Sequence, residues 1–212
     1  MSIVVSNRRP VIVLTSLVGA MTVSSIALLV LEPRPISMPP SVIDLRSSTL
    51  TGSLEPALFD TVRAPDPQRW RAIVIYENGM PGATVESIAD RDRASGLRGL
   101  DCHFVVTDGR GGGTVQAGFR WRHQQDGAWA TGPHSDWYNQ HAISICLVGN
   151  SNLQAPSERQ MRDLIELLHR IQKQFGIRDS HVKLQADIDA EVRLGRFFPF
   201  GHLRERLLMD SH

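Results

Sequence analysis

The chain has 212 residues, 42% of them hydrophobic and 21% charged, with a formal net charge of +1. This is an ordinary globular composition with enough apolar residues for one sizeable core. Nothing in the charge balance points to nucleic acid, since no basic run with interleaved aromatics occurs. Two cysteines, Cys102 and Cys146, are too few for a disulfide scaffold. Both sit in apolar strand-like runs and read as small core residues in preference to a bridge.

From Pro10 to Leu31 the chain carries no charge and is rich in Val, Leu, Ile, Ala and Met. At ~1.5 Å per residue such a run spans roughly 33 Å, the thickness of a bilayer's hydrocarbon. Arg8 and Arg9 precede it, which favours keeping residues 1–9 in the cytoplasm and exporting the remainder. The run is longer than the apolar core of a signal peptide. It ends Leu-Val-Leu-Glu-Pro-Arg-Pro, a poor cleavage site, so a single-pass anchor over residues 10–31 is preferred to a cleaved leader. The expected location is the inner membrane, with the C-terminal domain extracytoplasmic. Seven prolines between residues 32 and 67 describe an extended linker. Within it, Val42 to Phe59 carries scattered apolar residues suited to docking on the domain.

A folded domain is expected over residues 68–212. Arg71 to Tyr76 is a β-branched run that reads as a buried strand. Gly79, Pro81 and Gly82 break it, Thr84 is placed to cap a short helix, and Ser95-Gly96 ends that helix. His103 to Thr107 predicts a second strand. The turn Asp108 to Gly113 then returns the chain along Thr114 to Gly118 as a hairpin. The glycines of this turn are not a phosphate cradle, because no Lys-Ser/Thr follows and no helix opens after them. Phe119 to Tyr138 reads as a long aromatic loop holding Trp121, Trp129 and Trp137. His141 to Asn150 is a near-continuous apolar run, the pattern of a strand buried on both faces.

Ser157, with Gln160 three residues on, forms a capping box. Met161, Leu164, Ile165, Leu168, Ile171 and Phe175 then recur at helical spacing as far as Gly176. A short strand is expected over His181 to Leu184 and a last helix over Phe200 to Met209. The fold class is α/β: one mixed central sheet flanked by helices.

Several pieces together resemble the zinc-dependent N-acetylmuramoyl-L-alanine amidases and the related peptidoglycan recognition proteins. They are Ile73-Val-Ile-Tyr76, Gly99-Leu-Asp-Cys-His-Phe-Val-Val106, Gly118-Phe-Arg-Trp121, Gly127-Ala-Trp129-Ala-Thr-Gly132, Ile143-Ser-Ile-Cys-Leu-Val-Gly-Asn150, Pro156 with Gln160, and Leu194-Gly-Arg-Phe-Phe-Pro199. The resemblance implies a groove across a mixed sheet and cleavage of the lactyl-L-alanine amide of peptidoglycan. It also implies a zinc held by two histidines and a cysteine, with an open position for water.

Carried over by position, those ligands fall on Tyr76, Gln185 and Arg193, none of which is the family's residue. A tyrosine that assists catalysis falls on Cys102, and a histidine of the Gly-Ala-His element on Trp129. A neutral phenol, an amide oxygen and a guanidinium are poor zinc ligands. The expectation is therefore no catalytic residue, no metal and no cofactor. The degenerate groove would be lined by Tyr76, Cys102, Trp129, His134, Gln185 and Arg193.

Substitutes for the lost site are weak. The eight histidines form no Cys/His cluster, and His181 is the best replacement ligand if the register slips. Cys102 and the adjacent His103 point to opposite faces of a strand and cannot form a dyad. Asp187, Asp189 and Glu191 read as a solvated loop, with Arg193 placed to pair with one of them. Three functions remain open: a membrane-anchored, zinc-free binder of peptidoglycan or muropeptide, an active amidase with an altered metal site, and a module for a non-glycan partner.

Overall fold

The apolar runs of the sequence assemble into one five-stranded sheet in the computed structural model, which describes residues 54–109, 115–132, 135–189, 191–192 and 195–209. The strands are β1 (Ala72–Glu77), β2 (Phe104–Val106), β3 (Val115–Ala117), β4 (Ala142–Leu147) and β5 (Val182–Leu184), in the order β3-β2-β4-β1-β5. β4 runs parallel to both β1 and β2, β5 is parallel to β1, and β3 is antiparallel to β2. The mixed α/β sheet expected from the sequence is thus present. The apolar stretch after His141 lies at its centre, buried at all six strand positions. His141 itself belongs to the preceding helix.

Alternation along the strands divides the core between two faces. Ile73 and Ile75 of β1, Ile143, Ile145 and Leu147 of β4, and Phe104 and Val106 of β2 face one side. That side is covered by α4 (Glu158–Phe175) and α5 (Phe200–Met209). Ser157 caps α4 through the reciprocal box with Gln160, and Gly176 ends it in the left-handed conformation at φ 66°. Leu164, Leu167, Leu168 and Ile171 of α4 are fully buried. Each such side chain contributes ~1.5–3 kcal/mol of transfer free energy. The segment before β1 adds to this core: Leu54 is buried, and Phe59 meets Phe104 and Trp121 at ring distances of 5.8 and 6.3 Å.

The other face is thinner. Tyr76, Cys102, Val105, Cys146 and Val148 pack there against Ile88 and Ala89 of α1 (Val85–Ala94), whose N-cap is Thr84 as expected.

One expectation is corrected. Residues 119–138 are not a continuous loop. They contain a single turn, α2 (Phe119–Arg122), and the start of a second short helix, α3 (Ser135–His141). α3 buries no residue and so carries no apolar periodicity to read. The three indoles of the stretch differ in role: Trp121 is in the core, Trp129 is partly buried over Tyr76, and Trp137 is exposed. The anchor expected over residues 10–31, and most of the linker, lie outside the described residues. Among the described residues no helix is long and apolar enough to cross a membrane.

Candidate functional site

The site expected from the sequence centres on the carboxyl ends of β1 and β5. Parallel pairing sets Ile75 against Leu184, which carries the next residues, Tyr76 and Gln185, to the same edge of the sheet. Gln185 opens a single 3₁₀ turn, Gln185–Asp187, tied by the carboxylate of Asp187, which accepts from the Leu184 N–H at 2.9 Å. Tyr76 and Gln185 line one cavity of about 190 Å³, together with Glu77, Asn150, Leu184 and Phe198. In open α/β sheets the crevice beyond the carboxyl ends of the strands is where ligands bind.

Tyr76 also turns inward. Its hydroxyl donates to Oδ1 of Asp101. Its ring stacks on Trp129 at 5.4 Å between centroids and 15° between planes. Burial, then the neighbouring Cys102, Cys146 and Asp101, hold the phenol well above its usual pKa, so it stays protonated. Asp101 is raised chiefly by burial, against the lowering effect of the Tyr76 hydroxyl. The Asp101 backbone N–H donates to Asp92 at 3.0 Å, which locks the pair to the end of α1. Three expected site residues, Tyr76, Cys102 and Trp129, therefore meet in one cluster, and Tyr76 and Gln185 meet in the cavity. His134 and Arg193 lie outside the described residues.

Cys102 and Cys146 are both buried and free. Burial first, then the adjacent Cys146 and Asp101, raises the Cys102 thiol well above its ordinary value, opposite to what a nucleophile needs. His103 is engaged elsewhere. Its Nδ1 accepts from the Ser144 N–H at 3.0 Å, and its Nε2–H donates to the Gln125 carbonyl at 2.9 Å. Burial lowers its pKa to about 3, so the ring is neutral. No Cys102–His103 dyad forms.

Sequence reasoning missed three polar residues here. Asp101 fixes Tyr76. Glu77, the last residue of β1, accepts from the Ser151 N–H at 3.1 Å and from the Ser151 hydroxyl at 2.6 Å. Ser151 is fully buried, and its carbonyl accepts from the Phe197 N–H at 3.0 Å. The only sequence signal for Glu77 was an acid at the end of an apolar run.

These residues are a poor fit to zinc. Coordination through Tyr76 would require removing a proton from a phenol whose environment retains it, and breaking its bond to Asp101. Gln185 offers a neutral amide oxygen where zinc prefers nitrogen and sulfur. Among the described residues no three His, Cys, Asp or Glu side chains gather as a metal site.

Comparison with known proteins gives the frame. A family model described as N-acetylmuramoyl-L-alanine amidase matches residues 66–196. Among solved structures the chain is similar to the N-acetylmuramoyl-L-alanine amidase LysC from Clostridium intestinale, with TM-score 0.56 and 22% identity over 70% of this chain and 96% of that one. It is similar to the endolysin amidase LysCS of the same organism, with TM-score 0.57 and 22% identity over 74% and 98%. It also resembles bumblebee PGRP-SA, with TM-score 0.50 and 18% identity over 63% and 80%. No curated protein matches the chain. The match spans more than half of the sequence, and the chain belongs to the N-acetylmuramoyl-L-alanine amidase family.

Proposed function

We propose that this domain binds peptidoglycan or a muropeptide without hydrolysing it, as a zinc-free member of its family. We further propose that residues 10–31 hold it to the membrane with the domain extracytoplasmic. One observation carries the zinc-free reading. At the position where the family places its first histidine ligand stands Tyr76, neutral and already donating to Asp101. Without a Lewis acid, the scissile carbonyl is not polarised and no water is acidified at neutral pH. What supports recognition is the cavity at the carboxyl ends of β1 and β5, with the polar residues Glu77, Asn150 and Gln185 at its edge and Leu184 and Phe198 as apolar wall.

Sedimentation with insoluble peptidoglycan tests this reading. The full chain is expected in the pellet, with no new L-alanine amino termini in the supernatant. Protein that stays in the supernatant would support a non-glycan partner module instead. Released stem peptide would identify a working amidase.

A further inference from the structure

The turn that follows β1 carries the chain's one Asn-Gly pair, Asn78-Gly79. The two halves of the Asn78 side-chain amide are treated differently by the fold. Its Oδ1 accepts from the backbone N–H of Met80, closing an Asx-turn, and from that of Gly149 across the sheet, each at 3.0 Å. Its Nδ2 is closed off from solvent and finds no acceptor. Gly79 is exposed and left-handed at φ 72°, and a Cβ there would meet nothing within 4 Å. Among the described residues the Gly79 N–H donates to no acceptor. An unengaged backbone nitrogen thus sits next in the chain to an amide carbonyl that two fixed donors already polarise.

We propose that Asn78 is a site of self-modification, at which the native fold promotes loss of the side-chain amide. The Gly79 nitrogen bonds to Cγ of Asn78 and the Cγ–Nδ2 bond breaks. The proton lost by Gly79 leaves with Nδ2 as ammonia, and a five-membered succinimide remains. Water then opens that ring on either side of its nitrogen, giving aspartate or isoaspartate. Three features of the turn favour the first step. Negative charge develops on Oδ1 during the attack, and the Met80 and Gly149 N–H groups are already in place to receive it, as in an oxyanion hole. Glycine lacks the Cβ that would hold its nitrogen away from Cγ. Departure of ammonia also removes the one polar group of Asn78 that the fold leaves unsatisfied. An unfolded chain has none of the cross-sheet contact with Gly149. The product carries a new carboxylate between Glu77 and Gly79, both of which line the cavity of about 190 Å³, so the modification changes the charge of the crevice rim. The inference is independent of what the crevice binds.

Incubation of the full chain at mildly alkaline pH, once folded and once in concentrated urea, tests the site. Peptide mapping by mass spectrometry follows conversion of the amide to the acid, and enzymatic methylation of isoaspartate identifies the product. Conversion at Asn78 is expected to run at least about tenfold faster in the folded chain than in urea. Asn150 is the internal control: its Oδ1 receives the Asn152 N–H, but the residue after it, Ser151, is fully buried, and it should stay intact in the fold. Gly79→Ala should slow conversion at least about tenfold, with its folding checked by urea denaturation. If that variant fails to fold, the comparison of native and unfolded chains still decides. A folded-to-unfolded rate ratio below tenfold, or no conversion in the fold, would overturn the assignment. Retention on peptidoglycan plays no part in this readout, so failure of the wall-binding reading leaves the inference standing.

Discussion

The hydroxyl of Tyr76 donates to the carboxylate of Asp101, and the ring that carries it lies flat against the indole of Trp129. This contact converts the position of an expected metal ligand into part of a packed cluster in which the phenol stays protonated. Tyr76→Phe removes the donor and leaves the partly buried Asp101 oxygen unsatisfied, at an expected loss of ~1–3 kcal/mol. Urea denaturation measures it. Burial of the Tyr76 phenol, reinforced by Cys102, Cys146 and Asp101, governs alkaline behaviour. The Tyr76 pKa is raised in the fold, so its contribution is complete below pH ~10 and is lost as pH rises beyond it. In the native chain one tyrosine should ionise only as the domain unfolds, and absorbance at alkaline pH should show that late step missing from the phenylalanine variant.

His103 predicts the acid side. Its pKa falls from 6.5 to about 3 on folding. The fold therefore prefers the neutral ring, and that preference contributes full stability above pH 6.5 and is lost as pH falls towards about 3. Asp101 works in the opposite sense, since its raised pKa favours the acid form in the fold and its contribution is lost as pH rises. Comparing His103→Gln with the native chain isolates the histidine. Melting temperatures between pH 7 and 4 should decline less steeply in the variant, and an unchanged slope would contradict the assignment.

Gly195 presses on Ser151. A Cβ at this position would stand 2.1 Å from the Ser151 carbonyl carbon and 2.3 Å from the Asn152 nitrogen. Both are backbone atoms that cannot swing aside. Gly195→Ala is expected to destabilise the domain by at least ~1–3 kcal/mol, the usual range for overpacking. Because Ser151 also holds Glu77, the substitution should disturb the cavity as well. A variant with a native urea midpoint would show that this close approach is not maintained.

Cys102 and Cys146 should be silent to thiol reagents in the folded protein and react only after denaturation. Burial excludes the reagent and raises the Cys102 thiol, so little thiolate is present near neutral pH. Mass spectrometry after alkylation, with and without urea, counts them. Fast labelling of Cys102 under native conditions would reopen a nucleophilic role.

The legibility of this fold follows the range of the interactions. The β4 strand and the α4 helix announce themselves because burial imposes a period on neighbouring residues: six buried positions in one, and an apolar stripe with a capping box in the other. α3 was hidden because it buries nothing, and α2 because one turn is too short to show a period. The site was legible only in part for a related reason. Tyr76, Cys102, Trp129 and Gln185 were found by their place in the family's order. Asp101 and Ser151 act on residues 25 and 74 positions away and leave no local pattern.

We propose that the chain keeps the family's frame without its metal chemistry. The most direct measurement is zinc content and lactyl-L-alanine amide cleavage on one preparation of the full chain, incubated with excess zinc and then freed of unbound metal. No stoichiometric zinc and no turnover are expected, and zinc uptake is expected when Tyr76→His, Gln185→His and Arg193→Cys are combined. One tightly held equivalent of zinc with amide cleavage by the native chain would contradict it.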